Sequence, residues 1–525
     1  MANAVLNIFR LARAGFVFAR HGVKLIPADQ AMPMPVKLFR LITSPLRIFA
    51  EMGERKHRIA NALASLGPTY IKLGQFLATR DDLIGKDNAR DLSMLRDKMP
   101  PFSMKIARQT IEAELGQPVE NLFVSFSDPI AAASIAQVHK AVIEEDGERR
   151  SVAVKILRPG IEGKLHSDME SYFFAARMIE QFHEPSRRLK PVSVVEMLAQ
   201  GVEIEMDLRM EAAAMSEMAE NIKDDPGFRV PKPDWTRGAK RVLTTEWVDG
   251  IPLSDVDAIK EAGHDLIALS ENIIQSFLRH AMRDGFFHAD MHQGNLFVDH
   301  DGVLVAVDFG IMGRIGPKEQ LFLAEILYGF ITRDYTRVAK VHFDAGYVQE
   351  PYTVEQFAQA LRAIGEPLMD KTADEISMAR VLGQLFEVTE IFDMQARPEL
   401  VLLQKTMVVV EGVARTLNPR LNMWTISEPV VKEWMQAHLG VEGKLQHAAE
   451  GATSIGKFMG DLPSLLLRAE STAQSLSRMA SSGLKLDDET IALIAREQSR
   501  QSRVTRIGIW VGAIALVAIA VKLFL

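Results

Sequence analysis

Apolar positions recur along this chain with two different periods, and the places where the period changes predict its elements. Residues 1–60 carry short helical stretches, interrupted around Pro27–Pro35 and again near Gly53. Residues 59–115 read as helical, with a start at Gly67-Pro68, because proline has a favourable φ at the first helical position and loses no needed N–H there. Alternating runs follow at Leu122–Phe126, Ser134–Ile143 and Val152–Leu157, and the turn Glu145-Asp-Gly-Glu148 joins the last two as a hairpin. Residues 164–183 and 191–222 return to helix. Val242–Val248 is a further strand, ended by a turn at Asp249-Gly-Ile-Pro252. The remainder is mostly helical, broken by Asn295–Val298 and Val303–Val307 on either side of His300-Asp-Gly302. Residues 446–503 are polar, helix-prone and rich in Ser and Arg, and read as a connector.

The end of the chain has no such alternation. Ile507–Val521 is fifteen residues without a polar side chain, and Lys522 to Leu525 extends it. Nineteen helical residues span roughly 28 Å, close to the ~30 Å hydrocarbon thickness of a bilayer, so residues 504–525 are expected to form a single membrane anchor. Lys522 would snorkel to the far headgroups. Arg503 and Arg506 flank the near end, which assigns the preceding residues to the cytoplasmic side of the inner (cytoplasmic) membrane. Gly508 and Gly512 form a G-x-x-x-G, which would allow two copies to pair, so a homodimer is one expectation.

Composition narrows the classes. At 525 residues and 47% hydrophobic the chain can build more than one core, and a net charge of -7 argues against nucleic acid as a partner. The charge is uneven: residues 1–60 hold ten Lys/Arg against three Asp/Glu, which fits either a solvated helical face or contact with anionic membrane lipid. There is no cysteine, which excludes disulfides, thiolate metal sites, iron–sulfur clusters and cysteine nucleophiles.

Three strings carry chemistry, in an order that phosphoryl transfer requires. Val152-Ala-Val-Lys155-Ile lies on a strand and matches the V-A-I-K pattern, whose lysine holds nucleotide phosphates. His288-Ala-Asp290-Met-His-Gln-Gly-Asn295 matches H-R-D-x-x-x-x-N, in which the aspartate orients the attacking oxygen and the asparagine holds Mg2+. Val307-Asp308-Phe-Gly310 matches the metal-binding D-F-G. ATP and Mg2+ are therefore the expected cofactors, with Lys155, Asp290, Asn295 and Asp308 as their site. Glu211, on the long helix 191–222, is the best ion-pair partner for Lys155. Asp207 would share a face with it, four residues away, a like-charged pair costing a few tenths of ~1 kcal/mol unless Lys155 or Lys72 compensates. Glu246, on the strand after this helix, is a further candidate for nucleotide binding. His288 reads as a structural hydrogen-bonding group and His139 as a packed histidine. The expected fold is α+β: a two-lobed protein-kinase-like fold with a helical N-terminal extension (1–120), an N-lobe (121–250), a helical C-lobe (251–445), the connector, and a C-terminal transmembrane helix.

Three departures from a protein kinase stand out. Before Lys155 there is no G-x-G-x-x-G; the corresponding turn reads Pro129-Ile-Ala131-Ala132-Ala133-Ser134, and each Cβ disfavours the left-handed conformations that glycine allows. Ala289 replaces the arginine that can receive an activation-loop phosphate. Helix-like sequence resumes by Pro317, which leaves no room for a long activation segment and makes a protein substrate unexpected.

With these residues in place, the chain closely resembles the UbiB family of atypical kinases, which act in ubiquinone (coenzyme Q) biosynthesis. The resemblance covers roughly residues 60–430. It rests on the alanine-rich loop Ala131–Ser134, the catalytic loop His288–Asn295, the K-x-G-Q motif Lys72-Leu-Gly-Gln75 and the E-x-D motif Glu205-Met-Asp207. The resemblance implies an extension folded over the cleft, with Lys72 meeting Glu205 where a kinase would receive its peptide. Gly74 in that helix points to close approach of another backbone. It implies a membrane-linked ATPase or small-molecule kinase acting on or mobilising lipid-tailed quinone precursors, alone or with quinone-biosynthesis enzymes. Bacterial members often carry two C-terminal membrane helices; one is legible here. Two alternatives stay open: a nucleotide-switched pseudokinase scaffold, and a role linked to polyprenylphenol hydroxylation. The latter needs a flavin or redox metal, for which no motif is present.

Overall fold

The computed structural model describes residues 2–21, 58–78, 99–182, 190–369 and 398–439, with single positions between them. The chain divides into a compact unit Met1–Gln436 and a second unit Ala437–Leu525, of which only the end of one helix is described. The expected anchor 504–525 and connector 446–503 lie outside the described residues. Among the described residues no helix is long and apolar enough to cross a membrane.

The N-terminal part is helical: α1 (Ala2–Arg20), α2 (Arg58–Leu66), α3 (Pro68–Ala78), α4 (Met104–Leu115) and the short α5 (Val119–Leu122). Helix α3 starts where Gly67-Pro68 predicts. Gly67 takes φ 107, which a Cβ would strain, and Pro68 occupies the first turn. The expected strand Leu122–Phe126 starts later, at Ser125. Val119 and Phe123 are four apart and both bury into the same core, and this helical spacing holds the residues before the strand as a turn of helix.

One antiparallel sheet follows, in the order β1-β2-β3-β5, from β1 (Ser125–Ala132), β2 (Ala136–Glu145), β3 (Glu148–Leu157) and β5 (Val242–Glu246). The β2–β3 turn puts Asp146 at φ 51 and Gly147 at φ 81, the doubly left-handed turn that Asp-Gly favours and that matches strand twist. Along β3, Val152, Val154 and Ile156 pack on Ala107 and Ile111 of α4. A strand's period of two then sends Lys155 to the opposite face. Helix α6 (Ile161–Phe182) covers the extension, packing on α1 and the helix that follows it.

The expected helix 191–222 is two helices, α7 (Pro191–Glu205) and α8 (Leu208–Asn221). Asp207 has left the helical conformation (φ -124, ψ 95), and its carboxylate caps α8 by accepting from Arg209 N at 3.1 Å. Asp207 and Glu211 therefore do not share a helical face. Glu211 instead falls in the first turn of α8, where the helix dipole favours its negative charge.

The second lobe opens on a small sheet, β4-β9-β8-β6, formed by β4 (Phe228–Arg229), β6 (Gly250–Pro252), β8 (Leu296–Asp299) and β9 (Leu304–Ala306). The expected turn Asp249–Pro252 is thus partly a strand, in register with Phe297–Asp299. Helices α9 (Val256–Glu261) and α10 (Leu266–Arg279) precede a π-helical turn His280–Asp284 and β7 (Phe286–His288). After β10 (Met312–Arg314) come α11 (Pro317–Ile331), α12 (Tyr335–Asp344), α13 (Val354–Met369), α14 (Pro398–Leu417) and α15 (Met423–Leu439). Tyr335, Val338, Val348, Phe357 and Leu361 form the core of this helical end, and α14 packs along α10.

Candidate active site

The motif residues converge from both lobes. Lys155 Nζ, on β3, lies 2.8 and 2.9 Å from the two Glu211 oxygens and 2.9 Å from Asp308 Oδ1. Burial pulls the Lys155 ammonium down, but Asp308 and Glu211 outweigh it and hold the lysine charged far above its usual range. Lys155, first, holds the Asp308 carboxyl well below the carboxylate range, with Lys72 adding to it. Burial pushes Glu211 up, and Lys155 opposes that. The three groups form one charge unit whose only cation is the lysine, so a bound nucleotide would compete with Asp308 for it.

Asp308 sits at φ 63, a left-handed conformation that aspartate tolerates better than most residues and that costs of order 1–2 kcal/mol. Its side chain is 52% exposed, so the carboxylate is offered to a ligand rather than sealed in the protein. The short stretch after it returns at once: Met312–Arg314 pairs with Phe286–His288, and α11 begins at Pro317. A Cβ on Gly313 would come within 2.2 Å of the Phe287 ring, so this return requires glycine. The absence of a long activation segment is structural fact here.

The catalytic loop is wired by its own side chains. His288 is buried; its Nδ1 accepts from Asp290 N at 3.1 Å and its Nε2 faces Val307 O at 3.3 Å, an arrangement that takes the neutral ring. Burial lowers its pKa in the same sense. Asn295 donates its amide nitrogen to Asp290 O at 3.1 Å, which leaves its amide oxygen for a cation. Asp290, 43% exposed, faces His292 Nε2 at 3.7 Å. An oxygen-donor set of one exposed carboxylate, one oriented amide and nucleotide phosphates suits a hard cation such as Mg2+.

The alanine-rich segment differs from the expected open turn. Ala131 and Ala132 are the last residues of β1, paired with Val138 and Gln137, and only Ala133–Ile135 turn. None of the alanines has positive φ, so the hairpin needs no glycine. It is fastened from outside: Arg158 donates to Ala133 O at 3.0 and 2.8 Å and to Pro100 O at 2.9 Å, and Met99 N donates to Ala132 O at 3.2 Å. Ser134 is fully buried in the turn. Gln137 accepts from Phe102 N at 2.9 Å and meets His139, which is buried and stacked on Phe126 as a packing histidine. Arg158 and Gln137 were not among the sequence candidates. The signal for Arg158 was its place one residue beyond the lysine strand.

Lys72 Nζ lies 2.6 Å from Glu205 Oε2, which joins the extension to α7. Gln75, one turn on, is half-buried on the same helix. Gly74 is closely approached, but by side chains: a Cβ there would lie 2.7 Å from both Leu63 and Leu95. Asp207 pairs with Arg209 at 2.6 Å, so neither Lys72 nor Lys155 is its counterion. The Glu246 carboxylate is taken by Arg229 at 3.1 Å, which also binds Asp299 at 3.0 Å. Glu246 thus ties β5 to the second lobe through Arg229, and its side chain stays 39% exposed.

Comparison with known proteins fits this geometry. The ABC1 atypical kinase-like domain matches residues 94–342, and the UbiB helical domain matches residues 361–422. A curated protein of Marinobacter nauticus named "Probable protein kinase UbiB" is 37% identical over 507 residues, 95% of this chain and 91% of its own length. The chain belongs to the UbiB family. A protein of the same name from Tolumonas auensis is 37% identical over 464 residues, 87% of this chain and 84% of its own. The solved structure titled "The complex structure of Rv3197-erythromycin from Mycobacterium tuberculosis" matches with TM-score 0.51 and 24% identity, over 75% of this chain and 97% of that one. At that identity the likeness is one of fold. The UbiB helical domain spans the end of α13 and all of α14, so the helix against the catalytic loop belongs to a family-specific module.

Proposed function

We propose that this UbiB-family chain is an ATP- and Mg2+-dependent atypical kinase or ATPase that supports ubiquinone biosynthesis at a membrane, acting on or mobilising lipid-tailed quinone precursors. The observation that carries it is Lys155 held between Glu211 and Asp308, which sets the phosphate-binding cation and the metal-binding carboxylate side by side. Lys155 would hold the inner phosphates. Asp308 and the Asn295 amide oxygen would hold Mg2+, which neutralises charge on the phosphates. Asp290 would orient the attacking oxygen. The Ala131–Ser134 turn would close over the phosphates as a rigid hairpin.

A protein acceptor is disfavoured because the segment between Gly310 and Pro317 is spent on one short strand pair, and the Lys72–Glu205 pair draws the extension toward Asp308. Helix α1 supports a membrane location. It buries Asn7 and Ala14 and exposes Leu6, Phe9 and Phe16 together with Arg13 and Arg20, apolar and basic groups on one side as an anionic bilayer would take them.

The test is ATP turnover by the purified chain, with and without vesicles containing anionic phospholipid and with a phenolic mimic of the quinone precursor. Turnover stimulated by these additions and abolished by Asp308→Asn is expected. Turnover that survives Asp308→Asn would defeat the proposal.

A further inference from the structure

The catalytic loop is fastened to α14 at two points. Thr406 donates its hydroxyl to Ala289 O at 3.2 Å, and Gln293 Nε2 donates to Thr416 Oγ1 at 3.0 Å. The first of these bonds fixes the residue just before Asp290, and it fixes the residue next to Thr406 as well. That residue is Lys405. Its side chain is exposed and lies within Coulombic reach of Asp290.

Phosphoryl transfer needs positive charge at the terminal phosphate, where the transition state spreads negative charge over three equatorial oxygens. Among the described residues, the lysines already placed at the site are engaged elsewhere. Lys155 is shared between Glu211 and Asp308, and Lys72 holds Glu205. The loop Ala289–Asn295 contains no lysine or arginine, and its His292 carries a charge only when protonated. The Lys405 side chain keeps access to solvent, while the protein packed around it pulls its pKa down, with Asp290 acting in the opposite sense. An ammonium partly deprived of water is a stronger partner for an arriving phosphate.

We propose that Lys405, supplied by the UbiB helical domain, is the cation that binds the terminal phosphate of the nucleotide beside Asp290. It rests on the nucleotide reading above and adds to it a residue outside the kinase motifs. Lys405 keeps its protons throughout. The bond that breaks is the one between the terminal phosphorus and the bridging oxygen of ADP; the one that forms is to the attacking oxygen, whose proton leaves toward Asp290. The family-specific helix would then complete the site and not merely cover it.

The experiment uses the full chain and its Lys405→Met and Lys405→Arg variants. Affinities for Mg-ADP and for a Mg-bound non-hydrolysable ATP analogue are measured together with ATP turnover. Lys405→Met should bind ADP as the unaltered chain does, lose about tenfold in affinity for the analogue, and lose roughly a hundredfold in kcat. Lys405→Arg should recover most of both. Unchanged ADP affinity also reports that the variant is folded. An unchanged ratio of analogue to ADP affinity, or an equal fall in both, overturns the assignment. If the unaltered chain binds nucleotide without turning it over, the affinity ratio alone judges Lys405, while the missing turnover counts against the function. No nucleotide binding by the unaltered chain would overturn both.

Discussion

Lys72 Nζ stands 2.6 Å from Glu205 Oε2, and the two side chains are only 12% and 14% exposed. A pair this enclosed is costly to break, because the surviving charge keeps its desolvation without its partner. Lys72→Met or Glu205→Leu alone should cost about 3 kcal/mol, and the double variant less than the sum of the two. Denaturant unfolding of the four proteins in the cycle measures this. Additive losses would mean that the pair contributes nothing as a pair.

Lys155→Met should leave Glu211 and Asp308 facing each other without a cation. The expected loss is about 3–5 kcal/mol at pH 7, with nucleotide binding lost as well. The sign with pH follows from Asp308. Its folded pKa is depressed, so its stabilisation is present above the unfolded value near about 4 and fades as pH falls toward the lower folded value. The deficit of the variant should therefore be largest at neutral pH and shrink below about pH 4. Unfolding curves at pH 7 and pH 3 test it.

Arg158→Ala should release the Ala133 and Pro100 carbonyls together. A loss of about 2 kcal/mol is expected, since hydrogen bonds from a charged donor are the stronger kind. Nucleotide affinity should fall several-fold if the hairpin closes over the phosphates as proposed, because it loses its outer fastening. Ala132→Gly should act more mildly, costing about 0.5–1 kcal/mol through backbone freedom. Melting temperature and nucleotide titration separate the two effects.

His280→Phe should flatten the acid side of the stability profile. His280 is wholly buried, packs edge-on against Phe228, and is held neutral by burial with its pKa down to about 3. An unfolded histidine takes its proton near pH 6.5, so between there and about 3 the unfolded state binds more protons and stability drops as the pH is lowered, by roughly 1 kcal/mol per pH unit. Phenylalanine removes that term. Denaturation between pH 4 and 7 should show a shallower slope in the variant; an identical slope would mean that His280 is protonated in the folded protein.

Much of the site was legible because its motifs are local. Lys155 is turned away from the α4 core by the alternation of one strand, Asp290 and Asn295 share a short loop, and Asp308 follows a hairpin that its flanking residues announce. What misled was a helix read as continuous. Nothing in the apolar rhythm of residues 191–222 marks a break, because the break is made by Asp207 capping α8 and by Leu208 N binding Lys240 O at 2.9 Å, a partner distant in the chain. The pairing of Glu246 with Arg229 was illegible for a similar reason: no local pattern encodes the approach of that arginine.

The sequence by itself determined the family, the order of the lobes and the four groups that converge at the proposed nucleotide site, since each depends on residue type at fixed short spacing. Tertiary structure decided which charges neutralise which. Lys72 with Glu205 and Lys155 with Glu211 were expected pairs, but the fold gave Asp207 to Arg209, Glu246 to Arg229, and Asp308 to Lys155 as a second carboxylate. It also brought Arg158 to the alanine hairpin and Thr406, next to Lys405, to the residue before Asp290. The reason is physical: hydrogen bonds and hydrophobic alternation act within an element and leave a pattern in the chain, whereas the pairing of charges depends on which surfaces the packed core brings within a few ångströms.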